Sequence, residues 1–235
     1  MSPTPPNNRL LLALDAPDRD LLVPHLTRVD LPLRTLLEKP NEKISHVYFV
    51  ERGIVSVLAK STIHESIEAG LIGWEGVTGI AVIMGNDRSP HECIVQVDGE
   101  ALRIEVDAFR DAMTQSESLR TLLLRFVHVF NIQVAHTALA NARAKIEERL
   151  ARWLLMVHDR IPGDEACLTH EFVAIMLGVR RAGVTDALHE LEGKGLIRST
   201  RGVVRIVDRE GLEIFAGGTF GVPEREYRRL IGAGP

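Results

Sequence analysis

The sequence predicts an α+β chain in which an antiparallel β sandwich or jelly roll is followed by one long helix and then by a winged helix-turn-helix. Three observations predict it. Residues 29–106 are broken into short β-rich runs by turn residues. Residues 116–145 contain neither Pro nor Gly and repeat apolar residues at helical spacing. Residues 168–208 place two short helical patterns around a Gly and end in a hairpin pattern. With 235 residues the chain has room for two domains, each with its own core.

Residues 1–24 start Pro- and Asn-rich, and Leu10–Leu14 and Leu21–Val23 then read as short helices ahead of the first sheet. The β-rich runs are Val47–Val50, Ile54–Leu58 after Gly53, Cys93–Val97, and Ala101–Ile104. Asp98-Gly99 between the last two predicts a tight hairpin, because Gly accepts the positive φ of a two-residue turn. On the long helix the apolar residues form two adjoining stripes, Leu119/Leu122/Phe126/Val129 and Leu123/Val127/Phe130/Val134. That is wider than one neighbour requires, so one stripe is expected to face the β domain and the other a partner helix; the alternative is a helix buried in a single globular domain. A further helix over Ile146–Arg160 presents Leu150, Trp153, Leu154 and Val157 on one face and stops at Ile161-Pro162-Gly163-Asp164. The expected organisation is thus a β domain over 1–115, a long helix over 116–145 and a DNA-binding-type unit over 146–235.

Within that last unit, Thr169 caps a helix carrying Phe172, Val173 and Met176, and Leu177-Gly178-Val179 makes the turn. A second helix from Arg180 turns Val184, Leu188 and Leu191 inward, and Leu196–Arg198 with Val203–Val207 forms a wing around Thr200-Arg201-Gly202. Arg180, Arg181, Gly183 and Thr185 then lie where a recognition helix meets the major groove. Arg pairs bidentately with guanine, Thr residues such as Thr169 and backbone N–H groups hold phosphates, and Arg201 reaches phosphate from the wing tip.

Charge follows the same division. Residues 141–209 carry 12 Lys and Arg against 10 Asp and Glu, whereas residues 1–140 carry 13 against 18. A surplus this small calls for a few placed phosphate contacts, doubled by dimerisation, in place of a broad positive field. Two cysteines, Cys93 and Cys167, argue against a disulfide framework and cannot supply four thiolates to a cluster. No uninterrupted apolar run approaches about 20 residues and the start has no signal-like apolar core, so a cytoplasmic protein without a membrane partner is expected. His91-Glu92-Cys93 alternate across a strand and His128 and His136 are too far apart on a helix, so no metal site is expected. Nucleophile elbow, Walker loop and zinc-protease helix are all missing from the sequence, and no catalytic residues are assigned.

The segment Leu177-Gly178-Val179-Arg180-Arg181-Ala182-Gly183-Val184-Thr185, with Leu188–Glu192 and Gly195-Leu196-Ile197 behind it, resembles the cyclic-AMP receptor protein / fumarate-nitrate regulator (Crp/Fnr) superfamily. The order of domains matches over nearly the whole chain. The resemblance implies a cyclic-nucleotide-binding-like jelly roll, a homodimer through the long helix, and two recognition helices on a pseudo-palindromic double-stranded DNA operator, with RNA polymerase as a further partner. Arg181 falls on the family's base-reading Arg, while Ala182 and Asp186 depart from the usual acidic and basic residues, which implies a different operator preference. The family's nucleotide cassette has partial counterparts in Gly73 and Glu75 and in Arg88 and Ser89. Trp74 intrudes, Asp87 neutralises Arg88 and Pro90 removes a donor, so the cassette reads as degenerate, with Arg88 in a structural ion pair or on another anion. A working cassette for a cyclic nucleotide or other small effector, and an effector-independent regulator set by its own abundance, stay open. Three smaller expectations complete the reading: a hinge near Asn141–Lys145, a buried inert thiol at Cys167, and a short helix around Glu224–Leu230 packed on the wing unit.

Overall fold

The computed structural model describes residues 6–60, 66–232 and 234; the first five residues of the Pro-rich start, and Ala233 and Pro235 of the tail, lie outside them. The chain opens with two short helices, α1 (Arg9–Ala13) and α2 (Ala16–Leu22), capped by Asn8 and Asp15. Asn8 is fully buried because its amide also donates to the carbonyls of Val50 and Gly76, both at 2.8 Å, which ties the start to the β domain.

The β domain contains β1 (Thr27–Leu31), β2 (Leu36–Glu38), β3 (His46–Ala59), β4 (Ile67–Ile72), the short helix α3 (Ile80–Ile83) and β5 (Glu92–Glu105). Strand order in the antiparallel sheet is β1-β5-β3-β4, with β2 also on β5. Here the hairpin expected at Asp98-Gly99 is corrected. β5 runs through it unbroken, and the runs expected before and after Gly53 are likewise one strand. The pairing β3–β5 shifts register between Val50 and Val55, opposite Gly99. A Cβ on Gly99 would lie 2.0 Å from the Arg52 carbonyl oxygen, and one on Gly53, at φ 87°, would lie 2.5 Å from that of Val97. These glycines let two long strands press together at a bulge and bend, a second use of Gly that a dipeptide signal does not separate from a turn.

Helix α4 (Val106–Gln115) leads to the long helix α5 (Glu117–Arg143), whose first turn is capped by the Ser116 hydroxyl accepting from Leu119 N–H at 3.0 Å. Leu123, Val127 and Phe130 are buried together with Leu119, Phe126 and Val129. Both apolar stripes are therefore used mainly within the chain, against β4, α3, α4 and a C-terminal helix, and not one inward and one outward. What α5 leaves exposed is a narrower stripe of Leu124, His128, Asn131, Ala135, Ala138 and Leu139. By length and composition α5 would suffice to cross a bilayer, but its apolar side is packed on this chain's own elements.

Ala144 and Lys145 are extended and break the helix before α6 (Ile146–His158). Residues Leu150 to Val157 are all buried, more than one amphipathic face, because α6 sits in a core that holds Ile54, Leu58 and Leu71 of the β domain as well as the residues of the C-terminal unit. The remaining unit comprises β6 (Glu165–Cys167), α7 (His170–Leu177), α8 (Arg181–Gly193), β7 (Ile197–Thr200), β8 (Val203–Ile206) and α9 (Arg209–Phe215), with sheet order β6-β8-β7. The third strand, β6, was not legible as one. Helix α10 (Val222–Leu230) packs on α5 and not on the wing unit, which corrects the expectation for the tail. Cys167 is exposed, not buried, since β6 is an edge strand and its neighbour Ala166 takes the inward position.

Candidate nucleic-acid interface

Helix α7 begins where Thr169 accepts the Phe172 N–H at 3.2 Å and ends at Gly178, whose φ of 60° reverses the chain. Arg180 is then the N-cap of α8. Val184, Leu188 and Leu191, at most 2% exposed, fix α8 on the core through one face. The other face leaves Arg180, Arg181 and Ala182 exposed at the helix start, and among the described residues neither arginine has an ion-pair partner. Unpaired guanidiniums held at a helix N-terminus, where free backbone N–H groups add partial positive charge, suit a polyanion.

The other sequence-derived residues divide. Thr185 is half-buried, its hydroxyl 3.1 Å from His170 Nδ1 and donating to the Arg181 carbonyl at 3.3 Å, so it helps set the angle between α7 and α8. Gly183 is turned towards Ile146, where a Cβ would approach to 3.3 Å, and so serves helix packing. Arg201 stands exposed at the two-residue wing turn beside Gly202, φ 79°. Sequence reasoning passed over Arg198 and Arg205, exposed and directly opposite each other on β7 and β8. Like charges in that register repel. The alternation of buried Ile197, Val204 and Ile206 with these arginines was the available signal.

The candidate effector residues are not brought together on an open site. The Glu75 carboxylate is buried and accepts Arg160 Nε at 2.8 Å, and it also accepts the Gly73 N–H. Gly73 is small so that the Arg160 stem can cross it: a Cβ would meet that stem at 2.8 Å. Tyr227, on α10, donates its hydroxyl to the Glu75 carbonyl at 2.7 Å, and burial pushes that phenol's pKa up, so it stays a donor. Arg88 is exposed, donates to the Asn41 carbonyl at 2.8 Å and faces Asp87 at 3.7 Å. Ser89 accepts the His91 N–H through its hydroxyl. Between Glu75, Arg160, Gln133, Phe130 and Tyr227 remains a cavity of about 20 Å³, room for one water.

A second buried cluster couples the units. Glu68 on β4 accepts the Ser56 hydroxyl at 2.6 Å and Trp153 Nε1 at 2.9 Å. Burial pushes its carboxyl up to about 7, against those two hydrogen bonds and the charges of Arg152 and Arg160. Nearby, the turn at Gly178 rests on Ile67, and the Ser56 hydroxyl also reaches Met176 Sδ at 3.7 Å.

The family model of the Crp-like helix-turn-helix domain matches residues 148–215. No curated protein matches the sequence. Solved structures share the fold. FixK2 from Bradyrhizobium japonicum is 16% identical, with 81% of this chain and 96% of that one covered at a TM-score of 0.70. A CRP-family transcriptional regulator from Thermus thermophilus is 17% identical, with 81% and 97% covered at 0.68. The c-di-GMP-responsive global regulator CLP of Xanthomonas campestris is 18% identical, with 82% and 99% covered at 0.65. Residues 148–215 thus match the Crp-like helix-turn-helix domain family, and the chain shares the fold of solved Crp/Fnr regulators.

Proposed function

We propose, for a chain that carries a Crp-like helix-turn-helix domain on the Crp/Fnr fold, that it is a dimeric, sequence-specific DNA-binding transcription regulator acting in the cytoplasm. The observation that carries this is the exposed start of α8: Arg180 and Arg181 held without ion pairs among the described residues, on a helix anchored by Val184, Leu188 and Leu191. In this reading Arg181 reads a base in the major groove, Arg180, Thr169 and the helix N–H groups position phosphates, and Arg201 holds phosphate from the wing. Two copies meet through the exposed stripe of α5 around Leu124, Asn131, Ala135 and Leu139, presenting two recognition helices to a pseudo-palindrome.

For the β domain, the occupation of Glu75 by Arg160 and of its carbonyl by Tyr227 favours a regulator that works without a cyclic nucleotide. A labelled duplex bearing the selected operator tests the DNA reading. Arg181→Ala is expected to weaken operator binding about 10- to 100-fold while leaving binding to unrelated DNA nearly unchanged. Equal loss on both duplexes would remove Arg181 from base reading. Calorimetry with cyclic AMP and cyclic GMP tests the second point, and heat of binding at micromolar nucleotide would reverse it.

A further inference from the structure

Besides the side-chain contacts at Glu68–Trp153 and Ile67–Gly178, the chain itself attaches the DNA-binding unit to the β domain twice. The first attachment is the extended Ala144–Lys145 joint between α5 and α6. The second is the C-terminal segment, which starts in one core and ends in the other: Leu212 and Ala216 of α9 belong to the core of the DNA-binding unit, whereas Tyr227, Leu230 and Ile231 pack in that of the β domain. Between them, the Thr219 carbonyl accepts Arg152 Nε at 3.0 Å, and the same guanidinium donates to the Gln133 carbonyl of α5 at 3.4 Å. Tyr227, 2% exposed, then fastens to the Glu75 carbonyl, and the Glu75 carboxylate is itself held by Arg160, two residues beyond α6.

We propose that α10 is a latch: it crosses the α5–α6 joint and locks the DNA-binding unit in one orientation on the β domain, with the Gly73–Gly76 turn as its catch. A rotation about Ala144–Lys145 would carry α6, Thr219 and the start of α10 away from Glu75 and Gln133. It therefore cannot proceed unless Tyr227 leaves its seat or the segment from Gly217 to Gly221 gives way. Glu75 takes part through both its carbonyl and its carboxylate, so anything that moves this turn acts on two ties to the DNA-binding unit at once. The latch follows from the interdomain geometry and holds whatever DNA the chain recognises.

The test uses the full chain and trypsin, for which Arg143 and Lys145 at the joint are exposed sites. Cleavage there requires the joint to open locally, so its rate reports the latch. Tyr227→Asp with Leu230→Asp places two charges in the apolar seat. Joint cleavage is expected to rise at least about tenfold, with cleavage at exposed Arg34 and Lys43 of the β domain unchanged and faster tumbling of a dye on exposed Cys167. An unchanged joint rate would overturn the latch. If the double variant also exposes the β-domain sites, Tyr227→Phe decides: it keeps the packed ring and removes only the tie to Glu75. Joint cleavage raised several-fold with an intact β domain supports the latch, and wild-type behaviour overturns it.

Discussion

Glu68→Gln should flatten the pH dependence of stability that Glu68 imposes. The carboxyl is buried, with two hydrogen-bond donors, Ser56 and Trp153, and the guanidiniums of Arg152 and Arg160 acting from farther off. Burial outweighs these and raises the group from an ordinary value of 4.5 to about 7. The folded state therefore holds the proton more tightly than the unfolded chain. Stability from this group is fully present below about pH 4.5 and is lost as pH rises towards 7, where the carboxylate must be ionised in its buried seat. At about 1.4 kcal/mol per tenfold change in proton affinity, the loss is on the order of 3 kcal/mol. Gln keeps an oxygen for Trp153 and has no proton to lose. The assay is denaturant unfolding of both proteins at pH 5 and pH 8. The wild type should lose on the order of 3 kcal/mol more than Glu68→Gln between the two, while Glu38, which burial also raises, contributes equally to both and cancels. Parallel pH profiles would refute the reasoning, as would a variant that loses more on the alkaline side.

Other consequences are equally direct. A thiol reagent should modify Cys167 quickly and leave Cys93 unreacted in the folded protein, because Cys93 is buried beside Glu38 and its thiol is held well above its ordinary value; mass spectrometry of the labelled peptides reads this. Gly99→Ala should fail to fold or lose several kcal/mol, about 3 or more, since its Cβ would strike the Arg52 backbone, whereas Gly85→Ala, with open space around it but φ 89°, should cost only about 1 kcal/mol. Thermal unfolding separates the two. Arg198→Ala and Arg205→Ala should each lower the salt slope of DNA binding by about one if they touch phosphate, and leave it unchanged if the wing meets DNA only through Arg201.

Much of the DNA-binding unit could be read from residue order, because its elements are local: a cap at Thr169, a reversal at Gly178, an inward row at Val184, Leu188 and Leu191, and a hairpin around Arg201-Gly202. The β domain was legible in kind and not in connectivity. Gly53 and Gly99 signal positive φ or close approach without saying which, and only the partner strand decides. Long-range closure was out of reach altogether. Nothing near Gly73-Trp74-Glu75-Gly76 announces that Arg160, 85 residues on, will take the carboxylate, or that Tyr227, 152 residues on, will take the carbonyl. For the same reason the second stripe of α5 looked available to a partner helix, although α10 returns to pack on α5. Gly183 and Thr185 looked like groove residues by position, and their packing on Ile146 and His170 emerges only when α6 and α7 are in place.

Selection of binding sites from a random duplex pool with the purified chain, followed by sedimentation to weigh the selected complex, decides whether two copies read DNA together. An enriched inverted repeat with half-sites about one helical turn apart, bound by two chains, is expected. Enrichment of no sequence, or of a single site bound by one chain, would contradict it.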